Sequence, residues 1–390
     1  MNKCQHFGTC GGCDWQNLSY QEQLARKHAR LTGLLTSALG PRTPAVEAFL
    51  GMRIDATGAP WAFRHKAAFV FGEAADHRGS TIGHYAAHSR RVVPIVECPV
   101  HADRANRLAF ALHGHLTRAR VSAAGPTLRG VLRHLIVRTT RDAREAVAML
   151  VVTRNDKSLR PPIRAFLGTE EAPDGFYLNI HERPGPFMVG RETMRLGGRS
   201  HVRESIAGVS FLVSPTTFFQ TNVEAAERLA GLVLEEIPPD TSRILDLYAG
   251  SGLFTLPLAS RGHEVTSVEE NPVAVRDAEA NLRLNRLPTA HVRLHATTVE
   301  AALPRLRREP FDAAILDPPR SGCPPAVVRT LFGEIRPRRA LYVSCNPEAL
   351  VAELPAILKH GYRISRVQPV DMFPHTTHIE TVVVLDRLAT

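Results

Sequence analysis

The sequence predicts an α/β fold in two parts, an antiparallel β region over residues 1–205 followed by a β-α-β-α series over residues 206–390. Three observations carry this reading. The first half holds short apolar runs such as "AVAMLVVTR" and "GFYLNI", separated by polar turns. The second half alternates strand-like runs with helical ones, as in "RILDLYAGSGLFTLPLAS". Charge is also split: residues 1–205 carry 29 Lys+Arg against 17 Asp+Glu, whereas residues 206–390 carry 19 against 21. All the excess positive charge therefore lies in the first half, which points to a polyanion partner for that part.

The 390 residues are 44% hydrophobic and 22% charged, ordinary for a globular chain. No stretch approaches the ~18 uninterrupted apolar residues of a membrane span. The opening "MNKCQHFGTCGGCDW" has no apolar signal core. A cytoplasmic protein without a membrane partner is expected, and a monomer.

The first element is a cysteine loop. Cys4, Cys10 and Cys13 form C-x5-C-x2-C, and Cys98 lies about 85 residues further on, directly before Pro99. In a reducing compartment such thiols read as metal ligands rather than disulfides. Zinc favours paired C-x2-4-C knuckles, so three local ligands plus one distant one suit a [4Fe–4S] cluster better. Four thiolates would leave no open iron, so the expected role is structure or RNA docking. Next, residues 17–39 place leucines at helical spacing with basic residues between them, a helix with a basic face. "WAFRHKAAFVFGE" reads as a strand that starts with three potential phosphate contacts, Arg64, His65 and Lys66. Arg129, Arg133, His134 and Arg138 follow on further strands as candidates for the same basic face. A hinge is expected near 200–210.

In the second half, Asp246, Gly250 and Gly252 give D-x3-G-x-G between a strand and a helix. The glycines permit a tight turn with close backbone approach. The following strand ends at Glu269, 19 residues beyond Gly250, where a carboxylate can accept both ribose hydroxyls. A nicotinamide site would want a third glycine, but Thr255 fills that slot, which favours S-adenosylmethionine. "FDAAILDPPRSG" ends a strand at Asp317, and "LYVSCNPEAL" ends one at Cys345. Carboxyl ends of parallel strands are where such sheets bind ligands, so these residues should share one rim. The C-terminal half is accordingly read as a Rossmann-like class I S-adenosylmethionine methyltransferase.

Six motifs carry a wider resemblance: "CQHFGTCGGCDWQNLSYQEQL", "SPTTFFQTN", "LDLYAGSGLFTLPLA", "LDPPRSG", "YVSCNP" and "VDMFPHTTHIETVVVL". Across nearly its whole length the chain resembles the RNA uracil-C5-methyltransferase family in its iron–sulfur branch. The resemblance implies that Cys345 is the nucleophile and Glu380 the base. It implies that Gln220, Tyr248, Glu269 and Asp317 surround the cofactor, joined by Gly250 and Gly252 of the turn, and that Cys4, Cys10, Cys13 and Cys98 hold the cluster. The chemistry asks for the same groups. C5 of uracil is a poor nucleophile until a thiolate adds at C6, and a base must then remove the C5 proton.

Adenine amino methylation would want an aromatic residue after Asp-Pro-Pro, and RNA cytosine-C5 methylation a second cysteine. Arg320 occupies that slot, while Cys323 reads as structural. His375 and His378 are candidates for positioning RNA. The chain starts almost at Cys4, without the small RNA-binding barrel of many relatives, and so resembles the shorter ribosomal RNA enzymes. Thr297 and Thr298 stand where relatives often carry an acid near the adenine. The expected substrate is a uridine of 23S rRNA. A tRNA uridine is the alternative, and a non-catalytic iron–sulfur RNA-binding or redox-sensing protein is the rival from another class.

Overall fold

The computed structural model describes residues 4–74, 79–125, 127–184 and 188–389. Its first sheet has seven strands: β1 (Lys66–Glu73), β2 (Ser80–Tyr85), β3 (Val92–Pro94), β4 (Leu132–Thr139), β5 (Ala146–Val152), β6 (Gly175–Ile180) and β7 (Glu192–Gly198). They lie in the order β3-β2-β1-β4-β5-β6-β7. The neighbours are antiparallel, as the sequence suggested, except β5 and β6, which run parallel. The helix Arg160–Leu167 lies between these two strands, and a parallel neighbour needs such a crossover. Helix Asp103–Arg118 puts Ala105, Leu108, Leu112 and Leu116 into the core beneath β1, β4 and β5.

A hairpin, β8 (Val202–Ile206) and β9 (Val209–Val213), leads to the second sheet. Its two turn residues, Ala207 and Gly208, both have positive φ, as a two-residue turn between twisted strands requires. The second sheet comprises β10 (Arg243–Leu247), β11 (Glu264–Glu269), β12 (Val292–Ala296), β13 (Ala313–Leu316), β14 (Arg339–Ser344), β15 (Tyr362–Val370) and β16 (Glu380–Arg387). The order is β12-β11-β10-β13-β14-β16-β15, parallel from β12 to β14 and antiparallel thereafter. Strand order reverses beside β10, which opens a crevice at the carboxyl ends of β10, β11, β13 and β14.

Because β16 runs the opposite way, its first residue reaches that same rim: Ser344 of β14 pairs with Thr381, next to Glu380. The resemblance implied Glu380 as the base; the antiparallel register is what carries it to the rim that Cys345 occupies.

Helix α1 (Tyr20–Leu39) is capped by Ser19, whose side chain accepts from the Glu22 amide. Its leucines 31, 35 and 39 are buried with Val383 and Leu385 of β16, in the core of the second sheet. The segment after it runs along β15, with the Glu47 and Leu50 amides donating to the carbonyls of Val367 and Pro369 at 3.0 Å each. Among the described residues, no helix is long and apolar enough to cross a membrane.

Candidate active site

A cavity of about 670 Å³ lies at the carboxyl ends of the parallel strands. Its walls include Gln220, Tyr248, Gly250, Glu269, Asp317, Cys345 and Glu380. Seven of the residues singled out in the second half thus meet in one place. Gly252 lies behind the wall: at φ +92, a Cβ there would sit 2.0 Å from Leu256 Cδ1, so its part is to make the turn.

Each side chain is placed by its strand end. Tyr248 leaves β10 in a left-handed conformation at φ 63. Glu269 closes β11, and its carboxylate accepts from the amides of Gly250 at 2.8 Å and Asn271 at 2.7 Å, which hold it against the glycine turn. Asp246, fully buried behind the turn, accepts from Thr255 Oγ1 at 2.5 Å. Cys345 follows β14 and stops short of the next helix. Asn346 caps that helix through its side chain, and Pro347 occupies the first helical position. The Asn346 amide nitrogen also donates to the Arg320 carbonyl at 2.8 Å, tying "SCNP" to "DPPR".

The electrostatics are those of crowded acids around one guanidinium. Burial pushes the Cys345 thiol up to about 11; Glu380 and Asp317 add to this, and Arg320 opposes it. Glu380 is held well above the usual carboxylate range by burial and by Asp317, again opposed by Arg320. Burial together with Asp246 raises Asp317 to about 7. A cation entering this cavity would favour ionisation of all three.

Some wall residues were not read from the sequence. Glu300 lies in the first turn of the helix capped by Thr298. It supplies an acid near the position where Thr297 and Thr298 had suggested one was missing; the signal was an acid one turn beyond a strand-end threonine cap. Phe218 lines the mouth with 64% of its surface exposed, and Phe373 lies deeper. Cys323 stays outside the cavity, buried, with its amide donating to Glu353 Oε1 at 2.8 Å.

A second, smaller cavity of about 120 Å³ gathers Cys4, Cys10, Cys13 and Cys98 with Arg64, His84 and His101. The Gly11 amide bonds the Tyr85 carbonyl at 2.9 Å, and a Cβ on Gly11 would sit 2.8 Å from the Ala87 nitrogen, so only glycine lets the loop press this close to β2. Burial raises the thiols of Cys10, Cys13 (to about 11) and Cys98 (to about 12). Arg64 faces Cys98 and Cys13, and its Nε is buried without a partner. A buried guanidinium among thiols lacks a countercharge, which an anionic tetrathiolate cluster supplies. The donor set therefore fits a [4Fe–4S] cluster. One ligand atom each from His84, Cys98 and His101 also lies within 4.8 Å of the others, a set suited to a single metal ion, but Arg64 disfavours a bare cation there.

This placement corrects the expected phosphate contacts. Arg64 and Lys66 are largely withdrawn from solvent, and His65 is buried. Arg133, His134 and Arg138 are buried too. Arg133 donates to the carbonyls of His181 at 2.6 Å and Arg183 at 2.8 Å, and Arg138 to that of Thr217. Arg129 remains exposed. His375, read as an RNA contact, is buried as well.

A reversed parallel sheet with an acid on its second strand and a thiol–carboxylate pair on its rim defines an S-adenosylmethionine-dependent methyltransferase. Residues 201–388 match the family described as tRNA (Uracil-5-)-methyltransferase. An uncharacterized RNA methyltransferase of Gloeobacter violaceus is 34% identical over 98% of this chain and 82% of its own length. One of Synechocystis is 34% identical over 96% and 80%. The crystal structure of Pyrococcus abyssi tRNA (uracil-54, C5)-methyltransferase in complex with S-adenosyl-L-homocysteine superposes with a TM-score of 0.79 at 27% identity, covering 96% of this chain and 84% of that one. The chain belongs to the RNA uracil-C5-methyltransferase family and is an S-adenosylmethionine-dependent enzyme.

Proposed function

We propose that the enzyme methylates C5 of a uridine in 23S rRNA through a covalent adduct on Cys345. The observation that carries this is the convergence of Cys345, Asp317 and Glu380 on one cavity. Gln220, Tyr248, Gly250, Glu269 and Asp317 hold S-adenosylmethionine, which supplies an electrophilic methyl group; Gly252 shapes the turn beneath it. The Cys345 thiolate adds to C6 of the uracil, forming a C–S bond and moving the electron pair to C5. C5 would then bond the methyl group as the sulfonium's S–CH3 bond breaks, the electron pair returning to sulfur so that S-adenosylhomocysteine is the leaving group. Glu380 takes the C5 proton, and the C6–S bond breaks to restore the thiolate and the aromatic ring. Arg320 and the sulfonium charge both favour the ionised thiol and carboxylate that this sequence needs.

The target must leave its stack to enter the cavity, so a loop or refolded RNA segment is the substrate. RNA gripping falls to residues 1–205 apart from α1 and the segment after it, which pack on the methyltransferase part, residues 206–390. In the first, Cys4, Cys10, Cys13 and Cys98 hold a [4Fe–4S] cluster that orders the loop. The ribosomal target rests on the four-cysteine set, the mark of the iron–sulfur branch that the chain resembles. A tRNA target is favoured by the Pyrococcus abyssi likeness.

Nucleoside mass spectrometry on separated 23S rRNA and tRNA, from cells with and without the gene, decides between them. Loss of 5-methyluridine from 23S rRNA alone is the expected result. Loss from tRNA alone moves the substrate and keeps the chemistry, and loss from neither refutes the reading. Cys345→Ala should abolish turnover and leave cofactor affinity within about twofold, because it removes only the nucleophile.

A further inference from the structure

One stripe of α1, Tyr20, Gln23, Lys27 and Arg30, follows helical spacing. It binds the segment between β15 and β16 almost residue by residue. Tyr20 Oη and Lys27 Nζ donate to the Asp371 carboxylate at 2.8 and 2.6 Å, Lys27 also reaches the Phe373 carbonyl at 2.9 Å, and Arg30 the Thr377 carbonyl at 3.0 Å. Gln23 is the centre of the stripe. Its Oε1 accepts from the His375 amide at 2.8 Å, and its Nε2 faces the Trp15 carbonyl at 2.9 Å and His375 Nδ1 at 3.2 Å.

His375 is held from every side. Its carbonyl accepts from the amides of Asp14 and Trp15 at 2.8 and 3.0 Å. Its Nε2 reaches the Pro60 carbonyl at 2.8 Å, and its ring stacks on Trp61 with centroids 4.2 Å apart. A neutral ring protonated on Nε2 satisfies Pro60 and accepts from Gln23 at once. The backbone there is left-handed, with φ 62, a conformation a histidine keeps only when its surroundings impose it. Asp14 Oδ2 completes the clamp by accepting from the Thr377 amide at 3.1 Å. Asp14 and Trp15 directly follow Cys13, and Glu380 lies five residues beyond His375.

We infer that Gln23 and His375 are positioning residues for Glu380, and that the cysteine loop, through Asp14 and Trp15, is the other half of the clamp that holds it. The inference rests on Glu380 acting as the base. A base held loosely delays only the last step, proton removal from C5, because the thiolate comes from a different strand end. Loosening the clamp should therefore leave the enzyme joined to methylated RNA.

The test uses the full-length protein and total RNA from cells lacking the gene, which carries the unmodified target whatever its position. Gln23→Leu and Asp14→Ala are compared with Glu380→Gln. On natural RNA, Glu380→Gln should accumulate a denaturation-resistant protein–RNA adduct. Gln23→Leu should accumulate the same adduct, with turnover down by up to about 100-fold and cofactor affinity unchanged. Asp14→Ala, an exposed side chain with one bond to the segment, should do so more weakly. On RNA containing 5-fluorouridine, where no proton can be removed, all should trap the adduct to the extent of the unaltered enzyme. Slow turnover without adduct on natural RNA, or reduced trapping on 5-fluorouridine RNA, overturns the positioning role. Absence of adduct in Glu380→Gln itself overturns the base assignment beneath it.

Discussion

Lys27→Met tests the clamp through its ion pair. Lys27 and Asp371 meet at 2.6 Å with 0% and 1% of their side-chain surface exposed, so this is a buried pair without solvent screening. Burial lowers the ammonium from its ordinary range, with Asp371 opposing. Met fills the same volume but leaves Asp371 charged in the core with, among the described residues, only Tyr20 Oη as a side-chain donor. Removing one partner of such a pair costs about 3–5 kcal/mol, mostly the penalty of the charge left behind. Lys27→Met with Asp371→Asn removes that charge while an oxygen still accepts from Tyr20, so at least about 2 kcal/mol should return. The assay is the urea midpoint at constant slope, for the unaltered protein, the single variant and the double variant, at low and high salt. Salt should change the difference little, because the pair is buried. A loss under about 1 kcal/mol, as for an exposed pair such as Arg26–Glu22, would refute the reasoning, as would no recovery in the double variant.

Two further outcomes follow from the same site. Gly252→Ala places a Cβ at φ +92 against Leu256 and should cost about 1–3 kcal/mol, lowering the melting temperature and weakening cofactor binding; Leu256→Ala in the same chain should relieve the contact but not the backbone strain, and an unchanged melting temperature would discount both. Asp246 and Asp317 are each raised to about 7, above the ~3.9 of an unfolded aspartate, so the folded state holds more protons between these values and stability falls as pH rises through that window. Melting at pH 5 and pH 8 should show the decline, and Asp317→Asn should flatten it; an equal decline in the variant would remove Asp317 as a cause.

What was legible in the sequence was what backbone geometry dictates. Gly250, Glu269, Asp317 and Cys345 each stand at a strand end, and strand ends of a parallel sheet share a rim whatever the loops do. Cys98 was read from the Cys-Pro pair it forms with Pro99 and from the resemblance, since no local spacing places it beside Cys13. The failures share one cause. Arg64, Lys66, Arg133 and Arg138 were read as solvent-facing because they are charged, yet Arg133 and Arg138 donate to backbone carbonyls distant in sequence, Arg64 faces thiols, and Lys66 is withdrawn beside Arg64 and Arg138. The basic stripe of α1 is the same case: Lys27 and Arg30 face the chain's own C-terminal segment. The parallel pairing of β5 and β6 depended on a helix of eight residues, short enough to pass for a loop.

The position of α1 has a consequence for how the molecule is made. Tyr20 and Gln23 bond residues 351 and 352 positions later in the chain. During synthesis α1 emerges before every strand of either sheet, with Leu31, Leu35 and Leu39 turned toward a core whose strands β15 and β16 are made much later. The first sheet can close while translation continues, since its strands all precede residue 199. The catalytic body cannot close until β15 and β16 have been made, and an apolar helical stripe stays uncovered while every element between is synthesised. Such long-range closure makes for slow folding, so a truncated chain should retain the first sheet, expose α1 and present itself to chaperones.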